Sequence, residues 1–390
     1  MFSLLLSIIY VAFSSLGLPD SLLGAGWPVM SAELNVPISY AGIISMLIAA
    51  CTIISSLLSN RFTHKIGVGL VTSISVFLTA LSLTGFSLSS NFLSLCIFAI
   101  PYGLGAGGID AALNNYAAIH FKARHMSWLH CFWGIGASIS PYIMGYFLLH
   151  NKGWQDGYRA VAIIQIIFSV IMFCSLPLWK KNDYKDDSDN SDFNKPKLVG
   201  IKTVLKIKCV PYILVCFFAY CALETTAGLW ASTYLNKYRG VSVEIAARFA
   251  SLFYLGITAG RFINGFIAEK VGDKNLIRTG IIVITVGVIM VMIPVETDLI
   301  SLAGLIIVGF GCAPVYPSII HATPINFGVE NSQAIVGIQM ASAYVGSTFM
   351  PPLFGFIATK TSVSLYPFYL MIFVILMIFS SEIVNRNLKK

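Results

Sequence analysis

Charge is what this 390-residue chain has least of. Asp, Glu, Lys and Arg together make 11% of it, against about a quarter in soluble globular domains, which excludes an ordinary soluble domain. Its eight cysteines include no CxxC pair, and nearly all fall in apolar runs. A disulfide framework and a metal site are therefore not expected, and the cysteines read as small apolar packing residues. HExxH, GxSxG and a glycine-rich phosphate loop in a suitable context are also missing. Neither an enzyme nor a bound cofactor is expected. Polar stretches are scarce too. The one strongly polar run is "KKNDYKDDSDNSDFNKPK" at 180–197, with the composition of a solvated tether.

Apolar residues fill the rest. They are 57% of the chain, and the mean hydropathy is +0.81. A membrane-crossing helix needs roughly 20 mostly apolar residues. Twelve such segments are read at 2–32, 38–59, 68–88, 92–120, 127–149, 158–179, 209–236, 243–268, 276–295, 299–325, 332–358 and 364–384. The first has no positive region before it and is longer than a signal-peptide core. Of the 25 Lys and Arg, eighteen fall in loops on one side when the N-terminus is placed inside. The positive-inside rule then puts both termini in the cytoplasm. The formal charge of +8 is spread over many short loops, so nucleic acid is not an expected partner.

The two halves resemble each other. At an offset of 204, Asp20 falls on Glu224 and Gly24 on Gly228; at 205, "LLSNRFTHKIG" (57–67) falls on "FINGFIAEKVG" (262–272); at 210, Gly136, Pro141 and Gly145 fall on Gly346, Pro351 and Gly355. The order and near-constant offset indicate a duplicated six-helix unit. The expected fold is all-α and membrane-embedded, with twelve transmembrane helices in two pseudo-symmetric six-helix bundles. Residues 1–179 and 209–390 form the bundles, and 180–208 a cytoplasmic linker. Paired halves with a midplane site are a transporter architecture.

"GRFINGFIAEKVGDK" (260–274) resembles the loop motif of the major facilitator superfamily, in its copy between helices 8 and 9. Arg261, Glu269 and Asp273 are read as a charged conformational latch. The copy between helices 2 and 3 has decayed, with Asn60 in place of Gly265 and His64 in place of Glu269.

Of the seventeen Asp and Glu, fourteen lie in loops or near span ends, and three lie deep within spans: Asp20, Asp110 and Glu224. A carboxylate at mid-bilayer costs about 2.5–3.5 kcal/mol on insertion scales and by default marks a transport path. Pro19 disturbs the helix at Asp20, and a broken helix at membrane depth is tolerated where it lines a cavity. Trp27 stands two turns beyond Asp20, and Trp230 nearly so beyond Glu224; their planes suit a hydroxylated ring, though packing or interfacial anchoring is an equal reading. Asp110 and Asn114 stack on one helical face, behind glycines at 103, 105, 107 and 108 that permit close backbone approach. His130 and Trp133 share a face of the fifth segment. Asn264, Tyr316, His321 and Gln339 add polar candidates for a cavity lining. Asp20, Trp27, Asn114, His130, Trp133, Glu224, Trp230, Tyr316 and Gln339 are thus candidates for solute contact, and Asp110, Asp20 and Glu224 for proton coupling.

"GLPDSLLGAGWP" and "GAGGIDAALNNYAAIHF…MSWLHCFWGIGASISP" resemble the fucose–galactose–glucose permease branch of that superfamily. The resemblance implies a central cavity and cation-coupled sugar uptake by alternating access. It also implies that the helix 1 acid, Asp20, contacts sugar and the helix 4 acid, Asp110, takes part in proton coupling. The leading expectation is a proton-coupled importer of a monosaccharide or related polar solute in the inner or plasma membrane, acting as a monomer. Sodium is a possible substitute for the proton. The rivals are a proton-driven exporter of amphipathic compounds, suggested by a partial match of "GASISPYIMG" to an antiporter motif, and a non-transporting sensor.

Overall fold

The computed structural model describes residues 2–150, 152–179, 199–294 and 298–388. Most of the 180–208 linker thus lies outside the described residues. Among these residues there is no strand. The long helices are α1 (Phe2–Asp20), α2 (Leu22–Glu33), α3 (Ala41–Ile66), α4 (Val68–Leu88), α5 (Phe92–His120), α6 (Ala123–Leu149), α7 (Gly153–Cys174), α8 (Val210–Lys237), α9 (Val243–Val271), α10 (Asp273–Met292), α11 (Asp298–Phe327), α12 (Val329–Lys360) and α13 (Tyr366–Asn387). By length and apolarity, ten spans among the described residues can cross a membrane, α1 and α2 forming one of them. Helices α9 and α12 are as long, at 29 and 32 residues. They are more polar because they carry Arg261, Asn264, Gln333 and Gln339.

The first expected span is broken where Pro19 removes a backbone donor. Asp20 ends α1, Ser21 lies outside both helices, and α2 begins at Leu22. The Ser21 hydroxyl donates to the Ala137 carbonyl of α6 and lies 3.3 Å from Ser140 Oγ. The sixth span, expected over 158–179, starts at Gly153; its main helix stops at Cys174, and after a turn at Ser175 a short helical stretch runs over 176–179.

The internal repeat is visible at two kinds of position. Gly67 alone separates α3 from α4, with φ 80 and ψ 158, and Gly272 alone separates α9 from α10, with φ 79 and ψ 151. That region of backbone space is essentially reserved for glycine. Gly272→Ala is therefore expected to destabilise the chain by about 1–3 kcal/mol. The thermal midpoint of detergent-purified protein reads this directly, and an unchanged midpoint would contradict it. The second position is a helix crossing. A Cβ on Gly136 of α6 would lie 2.2 Å from the Ser14 carbonyl oxygen of α1, and one on Gly346 of α12 would lie 2.6 Å from the Phe218 carbonyl oxygen of α8. Ser14 and Phe218 are themselves 204 residues apart. In lipid, helices associate through such small-residue contacts, since no hydrophobic drive remains between them.

The chain divides into two compact units. One comprises Met1–Tyr116, Leu129–Val199 and Val329–Met340; the other comprises Ala117–Trp128, Gly200–Gly328 and Ala341–Lys390. In the first, α4 packs along α7, with Trp154, Tyr158 and Phe86 fully buried and Gln165 Nε2 donating to Thr79 Oγ1 at 2.8 Å. In the second, α11 packs on α9 and α10, and α8 on α13. There the Tyr366 hydroxyl donates to the Ala227 carbonyl at 2.9 Å.

The extra segment of each unit is tied in by side chains. In the first unit Gln333 Nε2 donates to Ser59 Oγ (2.9 Å), Asn115 Nδ2 to Gln333 Oε1 (2.8 Å) and Ser332 Oγ to Asn115 Oδ1 (2.7 Å). This clasp is uncharged and buried, and it forms beside the decayed copy of the loop motif. In the second unit Glu269 pairs with Arg124 and, at 3.6 Å, with Lys122. Asn264 Nδ2 donates to Ser127 Oγ at 2.7 Å.

Candidate functional site

In the first unit, the break at Ser21 leaves the Asp20 carboxylate at the end of α1, exposed beside buried Leu18 and Pro19. Two neutral donors hold it. The Tyr102 hydroxyl of α5 donates to Oδ1 at 2.8 Å, and the Trp133 indole of α6 donates to Oδ2 at 2.9 Å. The carboxylate thus has a fixed plane, with lone pairs left for a ligand.

Asp110 sits eight residues beyond Tyr102 on α5 and is buried. The helix reaches its neighbour closely there: a Cβ on Gly107 would meet the Thr52 carbonyl oxygen of α3 at 2.3 Å. Asn114 Nδ2 donates to Asp110 Oδ1 at 2.7 Å and to the Asp110 carbonyl at 2.9 Å. Asn114 Oδ1 in turn faces His130 Nε2 at 3.1 Å. The His130 ring meets Phe13 of α1 edge-on, with centroids 5.4 Å apart. The two acids have different partners, yet both are reached from one face of α6, by Trp133 for Asp20 and by His130, through Asn114, for Asp110.

Other expected contacts fall elsewhere. Trp27 is 4% exposed, and its indole donates to the Ile38 carbonyl at 2.6 Å. The helical spacing that put it beside Asp20 is interrupted by the break between α1 and α2. Asn114 is fully buried and bonds Asp110. The Trp230 indole donates to the Pro351 carbonyl of α12 at 2.9 Å, and its ring fills the space a Cβ on Gly355 would need. Gln339 is buried in α12.

In the second unit Glu224 of α8 lies 3.7 Å from Arg261 of α9. Tyr316 of α11 is half-buried and packs on Phe217 and Tyr220 of α8, with centroids 4.7 and 6.1 Å apart. The three residues expected as one latch have different partners. Arg261 is drawn into the helix interior by Glu224, whereas Glu269 pairs with Lys122 and Arg124. Asp273 Oδ2 accepts from His321 Nδ1 at 2.7 Å, and His321 Nε2 donates to the Phe121 carbonyl at 3.2 Å. Sequence reasoning missed Tyr102, Asn115, Ser332, Gln333 and Ser59. Each is an ordinary polar residue whose partner lies on another helix, so no local pattern announces it.

The Major Facilitator Superfamily family model matches residues 9–327 and 213–383. A glucose/mannose transporter, GlcP, of Bacillus subtilis (strain 168) is 21% identical over 320 residues, 80% of this chain and 77% of that protein. A hexuronate transporter of the same organism is 22% identical over 269 residues, 67% of this chain and 64% of its own length. Among solved structures, the transporter FucP in the outward conformation superposes with a TM-score of 0.77 at 14% identity, covering 96% of this chain and 98% of that one. With the helical fold and the family match together, this chain belongs to the Major Facilitator Superfamily and is a multi-pass membrane transporter, not an enzyme.

Proposed function

We propose that the chain takes up a monosaccharide or related small polar solute together with a proton, by alternating access. The observation that carries this is the pair of acids served by one face of α6. One acid is accessible and held by aromatic donors; the other is buried in a side-chain network. Asp20, with Tyr102 and Trp133 around it, suits sugar hydroxyls, which donate to the carboxylate while the indole plane covers C–H bonds. Asp110 suits the proton, because neutralising a buried carboxylate removes its desolvation penalty and Asn114 can bond either form. The likeness to FucP and the GlcP relative support a sugar, while the hexuronate relative leaves the charge of the solute open. On this reading, two six-helix halves at 1–179 and 209–390 are joined by the 180–208 linker. Both termini face the cytoplasm of a cell bounded by this inner or plasma membrane, and the working form is a monomer. Glu269 and Asp273, with their basic partners, fasten the cytoplasmic side.

The test is uptake into proteoliposomes holding the purified chain, with a panel of labelled sugars under an imposed proton or sodium gradient. Accumulation of one sugar under the proton gradient is expected. Accumulation of none, or proton-driven efflux of amphipathic dyes instead, would overturn the proposal. Within it, Tyr102→Phe removes one of two donors to the Asp20 carboxylate. Hydrogen bonds to charged groups are worth about 1.5–3 kcal/mol, so KM is expected to rise about tenfold or more, with the amount of folded protein unchanged. Uptake kinetics at fixed pH check this.

A further inference from the structure

The 180–208 linker changes charge along its length. Five aspartates fall between 183 and 192. Five lysines then fall between 195 and 208, and no Asp or Glu occurs again before Glu224. The last three of these lysines lie among the described residues, just ahead of α8. There Ile201–Val204 form one turn of helix. It is prolonged by the Leu205 N–H donating to the Ile201 carbonyl and the Ile207 N–H to the Val204 carbonyl, both at 3.0 Å. Cys209, with φ 72, interrupts helical geometry, and α8 begins at Val210.

The turn sorts its side chains by chemistry. Val204 is fully buried and pins the turn to the protein. Ile201 and Leu205, four apart and so on one face, are each 43% exposed. Lys202 and Lys206, also four apart, form the adjoining row, with Lys208 after them, and all three are exposed. None of the three pairs with a carboxylate among the described residues. The turn directly precedes a 28-residue helix long and apolar enough to cross a bilayer. That places it at the level where lipid headgroups meet acyl chains. An apolar row beside a basic row is the pattern of a segment lying in that interface.

We propose that this turn is a docking site for anionic phospholipid headgroups, with Ile201 and Leu205 set among acyl chains and Lys202, Lys206 and Lys208 on the phosphates. Charge chooses among lipids. A zwitterionic headgroup carries its own cation beside the phosphate, whereas an anionic one leaves its charge to the protein, and each lysine near an anionic surface adds to the attraction. The apolar row chooses a lipid over a soluble polyanion, which has nothing to set against Ile201 and Leu205. The lysine stems can lie along the same apolar row while their ammonium groups reach the headgroups.

The experiment titrates the full chain, in a neutral detergent, with phosphatidylglycerol and separately with phosphatidylcholine, and reads bound lipid by native mass spectrometry. Phosphatidylglycerol is expected to bind at least tenfold more tightly. The triple variant Lys202→Gln/Lys206→Gln/Lys208→Gln is expected to lose that preference. The control Lys152→Gln/Lys237→Gln/Lys360→Gln removes the same charge from three exposed lysines that the positive-inside count puts on the other side, and is expected to keep it. Ile201→Asn/Leu205→Asn is expected to weaken phosphatidylglycerol about tenfold with the lysines intact. All these substitutions fall on exposed side chains, and monodisperse elution checks the fold. Equal binding of the two lipids by the unaltered chain would overturn the proposal, and so would equal loss in both triple variants. Unchanged binding in Ile201→Asn/Leu205→Asn would give the lysines to a soluble polyanion instead. A preference that emerges only when Asp183, Asp186, Asp187, Asp189 and Asp192 are changed to Asn would give them to the linker itself, and either result overturns lipid docking.

Discussion

Asp110→Asn is expected to lower steady-state accumulation of the solute about tenfold for each pH unit of gradient, with the membrane potential clamped at zero, while exchange of labelled for unlabelled solute continues. The arithmetic is that of one lost proton, since one pH unit across the membrane is worth about 1.36 kcal/mol per proton, a factor of about ten. A neutral sugar with one coupled proton then reaches no accumulation at all. The substitution keeps the shape of the side chain, and its amide can still meet Asn114, which bonds Asp110 Oδ1 at 2.7 Å. The fold is therefore expected to survive. Concentrative uptake at the wild-type level in this variant would remove Asp110 from the coupling step.

Gly136→Val is expected to abolish the folded protein. The nearest atoms to an added Cβ are the Ser14 carbonyl oxygen at 2.2 Å and the Leu18 backbone nitrogen at 3.1 Å. Backbone cannot swing aside as a flexible side chain would, so α1 and α6 must separate. Overpacking inside a well-packed core already costs about 1–3 kcal/mol. Here it would also open the crossing that brings Trp133 to Asp20. Gly145→Val on the same helix is the control, because a Cβ there meets nothing within 4 Å. Size-exclusion profiles of the two detergent-extracted variants should differ sharply: a normal peak for Gly145→Val and aggregate or no protein for Gly136→Val. A normal peak for both would show that the helices part without penalty.

These crossings also show what the sequence can and cannot disclose. Apolar length alone placed the spans, because a bilayer permits little else. Pro19 beside Asp20 announced the break in the first of them. The duplicated order of Gly136, Pro141 and Gly145 against Gly346, Pro351 and Gly355 announced the repeated crossing. Two residues stand with partners that the sequence did not announce. Trp27 was assigned by helical spacing carried through the very break that Pro19 creates. Arg261 was grouped with Glu269 by motif, although Glu224, on another helix, takes its guanidinium. Tyr102 and Gln333 gave no sign, since a hydroxyl or amide acquires a role only from what the folded chain sets opposite it. Side-chain choice along one helix is readable; the pairing of helices is not.

Trp133 and His130 stand on one rod. Any turn of α6 that loosens the indole from Asp20 also shifts the imidazole against Asn114, and so disturbs the bond that Asn114 makes to Asp110. On the proposed reading, solute at Asp20 and a proton at Asp110 are thereby coupled with no chain of relays between them, by the stiffness of a single turn of helix.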